Sequence, residues 1–150
     1  MTKKLVMVIT NELRIGNYIL CNNMLARVDG VSEDTVLIDG NAIAANDAGI
    51  RPITLCDTIL QKVRQRIPKP DGYCYFYYRN KQTFLIYVDD DGSYYIGLNY
   101  QGDVCRITPN PILYLHQLQN IYFAQYGMEM DINERGLLES VETALRNGDI

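Results

Sequence analysis

The sequence predicts an α+β fold: an SH3-like N-terminal β lobe, a linking helix, an antiparallel β-meander and two C-terminal helices. Three observations predict it. Short apolar runs are separated by Asn22-Asn23, Asp29-Gly30, Asp39-Gly40 and Asp89-Asp90-Asp91-Gly92, the punctuation of hairpins. From Tyr73 to Arg79 the residues alternate, with Tyr73, Tyr75 and Tyr77 on one face and Cys74, Phe76 and Tyr78 on the other. After Pro111 the apolar spacing becomes helical. The 150 residues, 47% hydrophobic and 21% charged, suffice for one ordinary domain or two small lobes and exclude a disordered chain.

Each element has its own signal. Leu5 to Ile9 reads as a first strand. Gly16 to Cys21 and Met24 to Val28 form a hairpin around Asn22-Asn23, because Asn tolerates positive φ better than most residues. Thr35 to Ile38 is the next strand, and the small polar residues Asn41 to Gly49 read as a loop. Thr54 with Asp57 resembles a capping box, so a helix is expected from about Leu55 to Arg66, ended by Pro68 and Pro70. The meander then runs through Tyr73–Arg79, Thr83–Val88, Ser93–Asn99 and Val104–Ile107. Large side chains on both of its faces predict a sheet covered on both sides or lying at an interface. Asn110 as N-cap and Pro111 at the first position open a helix closed by Gly127. A final helix runs from about Glu134 to Asn147, with Leu137, Leu138, Val141, Ala144 and Leu145 on one face and Gly148 at its end. The organisation expected is residues 1–67 as the β lobe with its linking helix, and residues 68–150 as the meander with its helices, within two lobes or one compact domain.

Charge is unevenly placed. The net charge of −4 and pI near 4.9 provide no global basic footprint for nucleic acid. Yet Lys62, Arg64, Arg66, Lys69, Arg79 and Lys81 cluster against one acid, Asp71. The run Leu5 to Ile9 is too short for a secretory h-region and no stretch is long enough to span a membrane, so the expected location is cytoplasmic. Cys21, Cys56, Cys74 and Cys105 lie far apart without a C-x-x-C pair and read as buried, reduced thiols acting as small hydrophobes.

Asn11-Glu-Leu-Arg-Ile-Gly-Asn-Tyr18, Pro52-Ile-Thr-Leu55 with Ile59-Leu60, and Tyr114-Leu-His-Gln-Leu-Gln-Asn-Ile-Tyr-Phe-Ala124 occur in that order. Together they resemble the opening, middle and hallmark motifs of a family of small uncharacterised proteins from phages, prophages and mobile elements of Bacteroides-type bacteria. The resemblance implies a phage or prophage origin and no particular activity. Cys56 departs from the family's helix-capping Thr, which leaves Thr54 to take that role. The chain also continues past the hallmark helix by about a helix's length.

The chemistry-bearing residues are few. His116 is the only histidine, and Gln119 and Asn120 lie near it on one helix face. That face, which Phe123 shares at i+7, can be a catalytic or ligand-binding patch, or a polar face that pairs with backbone groups of the sheet. The second reading is preferred, because a buried polar face must find partners somewhere. No catalytic residue is assigned: a His–Asn pair lacks a nucleophile, and no serine lies in a G-x-S-x-G elbow. No metal site is assigned, since the cysteines lack zinc spacing and Tyr100 stands where an EF-hand loop starting at Asp89 needs Glu. No cofactor is implied, as no Walker or G-x-G-x-x-G loop is present.

Two binding readings remain. Arg64, Arg66, Lys69, Arg79 and Lys81 flank Tyr73, Tyr75 and Tyr77, and cations beside stacked rings are what single-stranded nucleic acid uses. Alternatively, twelve tyrosines supply rigid contact area for a protein partner. The expectation is a non-enzymatic accessory protein that binds a host or phage protein, with nucleic acid as the first alternative, an enzyme of unknown type as the last, and no membrane partner.

Overall fold

The computed structural model describes the backbone of residues 12–63, 65–69, 72–79, 82–101 and 103–150, with side chains throughout these except 62–84, 99–100 and 103–104. The expected strand at Leu5 to Ile9 lies outside the described residues. In chain order the elements are β1 (Tyr18–Cys21), β2 (Met24–Arg27), β3 (Gly30–Val31), β4 (Thr35–Ile38), β5 (Asn41–Ala44), β6 (Ile50–Arg51), α1 (Asp57–Val63), β7 (Gln65–Lys69), β8 (Gly72–Arg79), β9 (Gln82–Val88), β10 (Tyr94–Tyr100), β11 (Asp103–Arg106), α2 (Leu115–Tyr126) and α3 (Glu134–Asn147). The fold is α+β, with antiparallel sheets and C-terminal helices.

Two units interleave along the chain: Met1–Thr54 with Tyr114–Met130, and Leu55–Leu113 with Asp131–Ile150. The sequence boundary at residues 67 and 68 falls inside β7.

In the first unit, two-residue turns set the register. Asn22 and Asn23 have φ of 51° and 62°, the left-handed pair a tight hairpin needs. They pair Cys21 with Met24 and carry the ladder on to Tyr18 opposite Arg27. Asp39 and Gly40, at φ 50° and 77°, do the same for β4 and β5, where Ile38 faces Asn41. This corrects the loop expected over Asn41–Gly49: the turn delivers Asn41–Ala44 straight back along β4, whatever their weak strand propensity. The sheets are ordered β2-β1-β6 and β3-β4-β5. Leu13, Ile19, Val28, Val36, Ile38 and Ile50 form a buried cluster, and α2 buries Leu115, Leu118 and Tyr122.

The second unit holds the five-stranded meander, β11-β10-β9-β8-β7. Its edge strand β7 was expected to be helix end and linker. Pro68 sits within it opposite Tyr73, a position proline tolerates on an edge, where the outward side of the ladder needs no N–H. The sheet is covered on both faces where Leu85 and Ile86 on β9, and Tyr94 and Tyr95 on β10, are all buried. Toward β11 the cover ends, since Leu98, Cys105 and Ile107 are exposed. This corrects the expectation of buried thiols: Cys105 lies on this uncovered edge strand, and Cys21 and Cys56 are half-buried. The Asp89–Gly92 segment is a hairpin turn, with the Asp89 carbonyl accepting from Gly92 N at 2.9 Å and the Asp91 carboxylate from Ser93 N at 3.0 Å. Those Ser93 contacts hold the Asp91 carboxyl below the usual carboxylate range.

Helix α3 packs against α1, burying Leu137, Ser140, Val141 and Ala144. Asn133 caps it, its side chain accepting from Gly136 N at 2.9 Å. Helix α1 starts later than its sequence pattern suggests. Thr54 is exposed and bridges Tyr114, while the Cys56 carbonyl accepts from Leu60 N at 3.0 Å. The cap is therefore Cys56, with the amides of Ile59 and Thr58 turned toward its thiol. Burial pushes that thiol's pKa up, the two amides opposing. A thiol is a weak acceptor, so Cys56→Thr is expected to stabilise the chain by about 0.5–1 kcal/mol, read as a higher urea midpoint.

Candidate functional site

The polar face of α2 meets the turn that precedes β1. The sequence signal at Asn110-Pro111 opens no helix. Ile112 instead bridges Tyr94 and donates its N–H to the Tyr94 carbonyl at 2.7 Å. The helix begins after Tyr114, whose N–H is taken by the Gln117 side chain at 3.2 Å. This start places His116, Gln119 and Asn120 toward the chain entering β1.

Gln119 is 1% exposed. Its Oε1 accepts from Tyr18 N at 2.9 Å and its Nε2 donates to the Gly16 carbonyl at 3.2 Å. One side chain thereby completes the backbone bonding where β1 begins. Asn120 does the same one position on. Its Oδ1 accepts from Asn17 Nδ2 at 2.9 Å and from Arg14 Nε at 3.2 Å, and its Nδ2 donates to the Glu12 carbonyl at 2.7 Å. Asn17, fully buried, returns the bond by accepting Arg14 N at 2.7 Å.

Arg14 is fixed on several sides. Its guanidinium pairs through two nitrogens with Glu129, a bidentate geometry that orients it. The same group lies 4.0 Å from the centre of the Phe123 ring and donates to the Ile15 carbonyl at 3.1 Å. Gly16 makes room for this arrangement. Its φ is +96°, and a Cβ there would lie 3.1 Å from Glu129 Oε1.

His116 stands apart from these bonds. It is 1% exposed, and neither ring nitrogen has a hydrogen-bond partner among the described residues. Its ring stacks on Tyr114, with centroids 5.7 Å apart and planes at 8°. Glu12 Oε2 lies 3.6 Å from Nε2, just beyond a hydrogen bond. Burial pushes the imidazole pKa below its ordinary value, and the Glu12 carboxylate opposes that shift. Stability that depends on neutral His116 is thus fully present above the unfolded imidazole value and lost as pH falls from there through the lower folded value.

Comparison with known proteins finds no matching family model, no matching curated protein and no matching solved structure. The chemistry of the site therefore rests on its own geometry.

Of the residues singled out in the sequence, the structure brings His116, Gln119 and Asn120 to one place. It joins them to Phe123, which helical spacing places on the His116 face, and to Glu12, Arg14, Gly16, Asn17 and Glu129, which spacing does not mark as partners. The available signal was the polar Asn11–Tyr18 motif with a glycine inside it. In the basic stretch, Arg64 and Lys81 lie outside the described residues, and so do the side chains of Arg66, Lys69, Tyr73, Tyr75, Tyr77 and Arg79. The strand register sets Arg66 opposite Tyr75 and Lys69 opposite Gly72 across β7 and β8. Among the described residues, no group of three His, Cys, Asp or Glu side chains is placed to hold a metal ion, and no helix is long and apolar enough to cross a membrane.

Proposed function

We propose that this chain is a non-enzymatic accessory protein of phage or prophage origin that acts by binding another protein. The origin is supported by the three sequence motifs. The observation that carries the binding reading is the fixed apolar surface around Arg14: Ile15 is 62% exposed and Phe123 37% exposed beside a guanidinium already held in place. Exposed apolar side chains on an ordered support lose little conformational entropy on docking. Gln119 and Asn120 of α2 are engaged with Glu12, Gly16, Asn17 and Tyr18, which favours a structural role for these two amides over catalysis. The proposal includes a cytoplasmic location, to which four scattered cysteines without a C-x-x-C pair are suited. It also includes an SH3-like reading of the first unit, supported by its two small antiparallel sheets.

The nucleic-acid reading has its own support in the register that sets Arg66 opposite Tyr75. One experiment separates the two: a tagged pull-down from bacterial lysate, with and without nuclease, using the parent chain and Ile15→Asp. The expected result is a partner that survives nuclease and is lost with Ile15→Asp. Ile15 is exposed, so its replacement leaves the fold intact. Enrichment that nuclease abolishes and Ile15→Asp retains would overturn the protein-binding reading in favour of the basic strands.

A further inference from the structure

We infer that Glu12 and His116 form a proton-operated latch on the chain entering β1. A proton taken from solvent at His116 Nε2 draws the Glu12 carboxylate inward to an ion pair, and loss of that proton releases it.

The geometry of a buried ring with an approachable carboxylate carries this inference. A neutral imidazole has one N–H donor and one acceptor nitrogen. At 1% exposure, with both nitrogens unpartnered among the described residues, the neutral ring leaves a buried N–H unsatisfied. Such groups are rare in folded proteins and mark a strained or working position. The carboxylate able to relieve it lies 3.6 Å from Nε2, beyond hydrogen-bond reach but within ion-pair distance once the ring is protonated, and the Glu12 side chain is 45% exposed. It has solvent to move through and a short distance to close. Its backbone stays in place, because Asn120 Nδ2 holds the Glu12 carbonyl at 2.7 Å. The moving part is therefore one side chain on a fixed hinge.

The other groups around the ring do not compete for the proton. From the residue before α2, the Tyr114 ring stacks face to face on the imidazole rather than pointing its hydroxyl at a nitrogen. Gln119 and Asn120 on α2 itself do not titrate. Arg14 and Glu129 are paired with each other. Among the described residues, Glu12 is thus the charged group that faces His116. Burial resists the proton and the Glu12 carboxylate favours it, so both groups bear on the protonation of the ring.

This inference is independent of the proposed partner. It is tested by carbon-detected NMR on the whole chain, following the single histidine ring and the Glu12 carboxyl carbon from about pH 4.5 to about pH 8, the interval around an ordinary imidazole. The Glu12 carbon is expected to show a second step at the midpoint of His116, beyond its own titration. Glu12→Gln, at an exposed position, is expected to move the His116 midpoint to lower pH, and His116→Gln to abolish the second step. A Glu12 carbon that ignores the His116 midpoint, or a midpoint that Glu12→Gln leaves in place, would overturn the latch. Should His116→Gln fail to fold, the Glu12→Gln midpoint decides alone.

Discussion

Gln119→Ala is expected to destabilise the chain by about 2–4 kcal/mol, the range for orphaning buried polar groups while removing a buried side chain. The Tyr18 N–H loses its acceptor and the Gly16 carbonyl its donor. Neither has an easy substitute: Gln119 is 1% exposed and Tyr18 is buried. Gln119→Leu restores the volume but not the bonds, so it should recover only the packing part of the loss. Urea unfolding of the three chains separates the two contributions. A Gln119→Ala midpoint close to that of the parent would mean that these bonds contribute little.

Gly16→Ala is expected to cost about 2–3 kcal/mol through two effects that act together. The φ of +96° is one that L side chains rarely adopt. The new methyl also meets Glu129 Oε1 at 3.1 Å and Cδ at 3.3 Å. That carboxylate cannot withdraw freely, because it holds Arg14. Gly40→Ala is the control: its φ is +77°, with nothing within 4 Å of the added carbon, so it measures the backbone effect alone. In a Glu129→Ala background the excess cost at Gly16 should shrink toward that of Gly40. If Gly16→Ala and Gly40→Ala cost the same, the crowding against Glu129 is without consequence.

The fold was legible where local chemistry decides it. Asn22-Asn23 and Asp39-Gly40 each supply the positive φ that a two-residue hairpin demands, and the strands follow from them. Gly127 and Gly148 close α2 and α3 in the left-handed conformation, as their positions predicted. It was illegible where a distant partner decides. Asn110-Pro111 is a valid helix start by local rules, yet Tyr94 claims the backbone of Ile112 first. Pro68 reads as a helix stop, and it takes the known edge of a sheet to seat it in a strand. Asn41–Ala44 carries no strand signal, and the turn before it imposes the pairing.

The candidate site divides in the same way. The polar stripe of His116, Gln119 and Asn120 is visible from helical spacing, and its pairing with backbone was the preferred reading. What it pairs with lies more than a hundred positions away in the chain: Asn120 reaches Asn17 across 103 residues and Glu129 reaches Arg14 across 115. No periodicity encodes a contact of that range. Arg14 could be noticed only as a cation in a polar motif, and its role needs Phe123, Asn120 and Glu129 in place around it.

Gln119 and Asn120 on the polar face of α2 hold the turn that enters β1. The most direct measurement is native-state hydrogen exchange at the Tyr18 amide, parent against Gln119→Ala. Protection in the parent is expected to approach that of the most protected core amides, with a large loss in the variant, out of proportion to the change at amides elsewhere in β1. Rapid Tyr18 exchange in the parent, or equal protection in both chains, would contradict it.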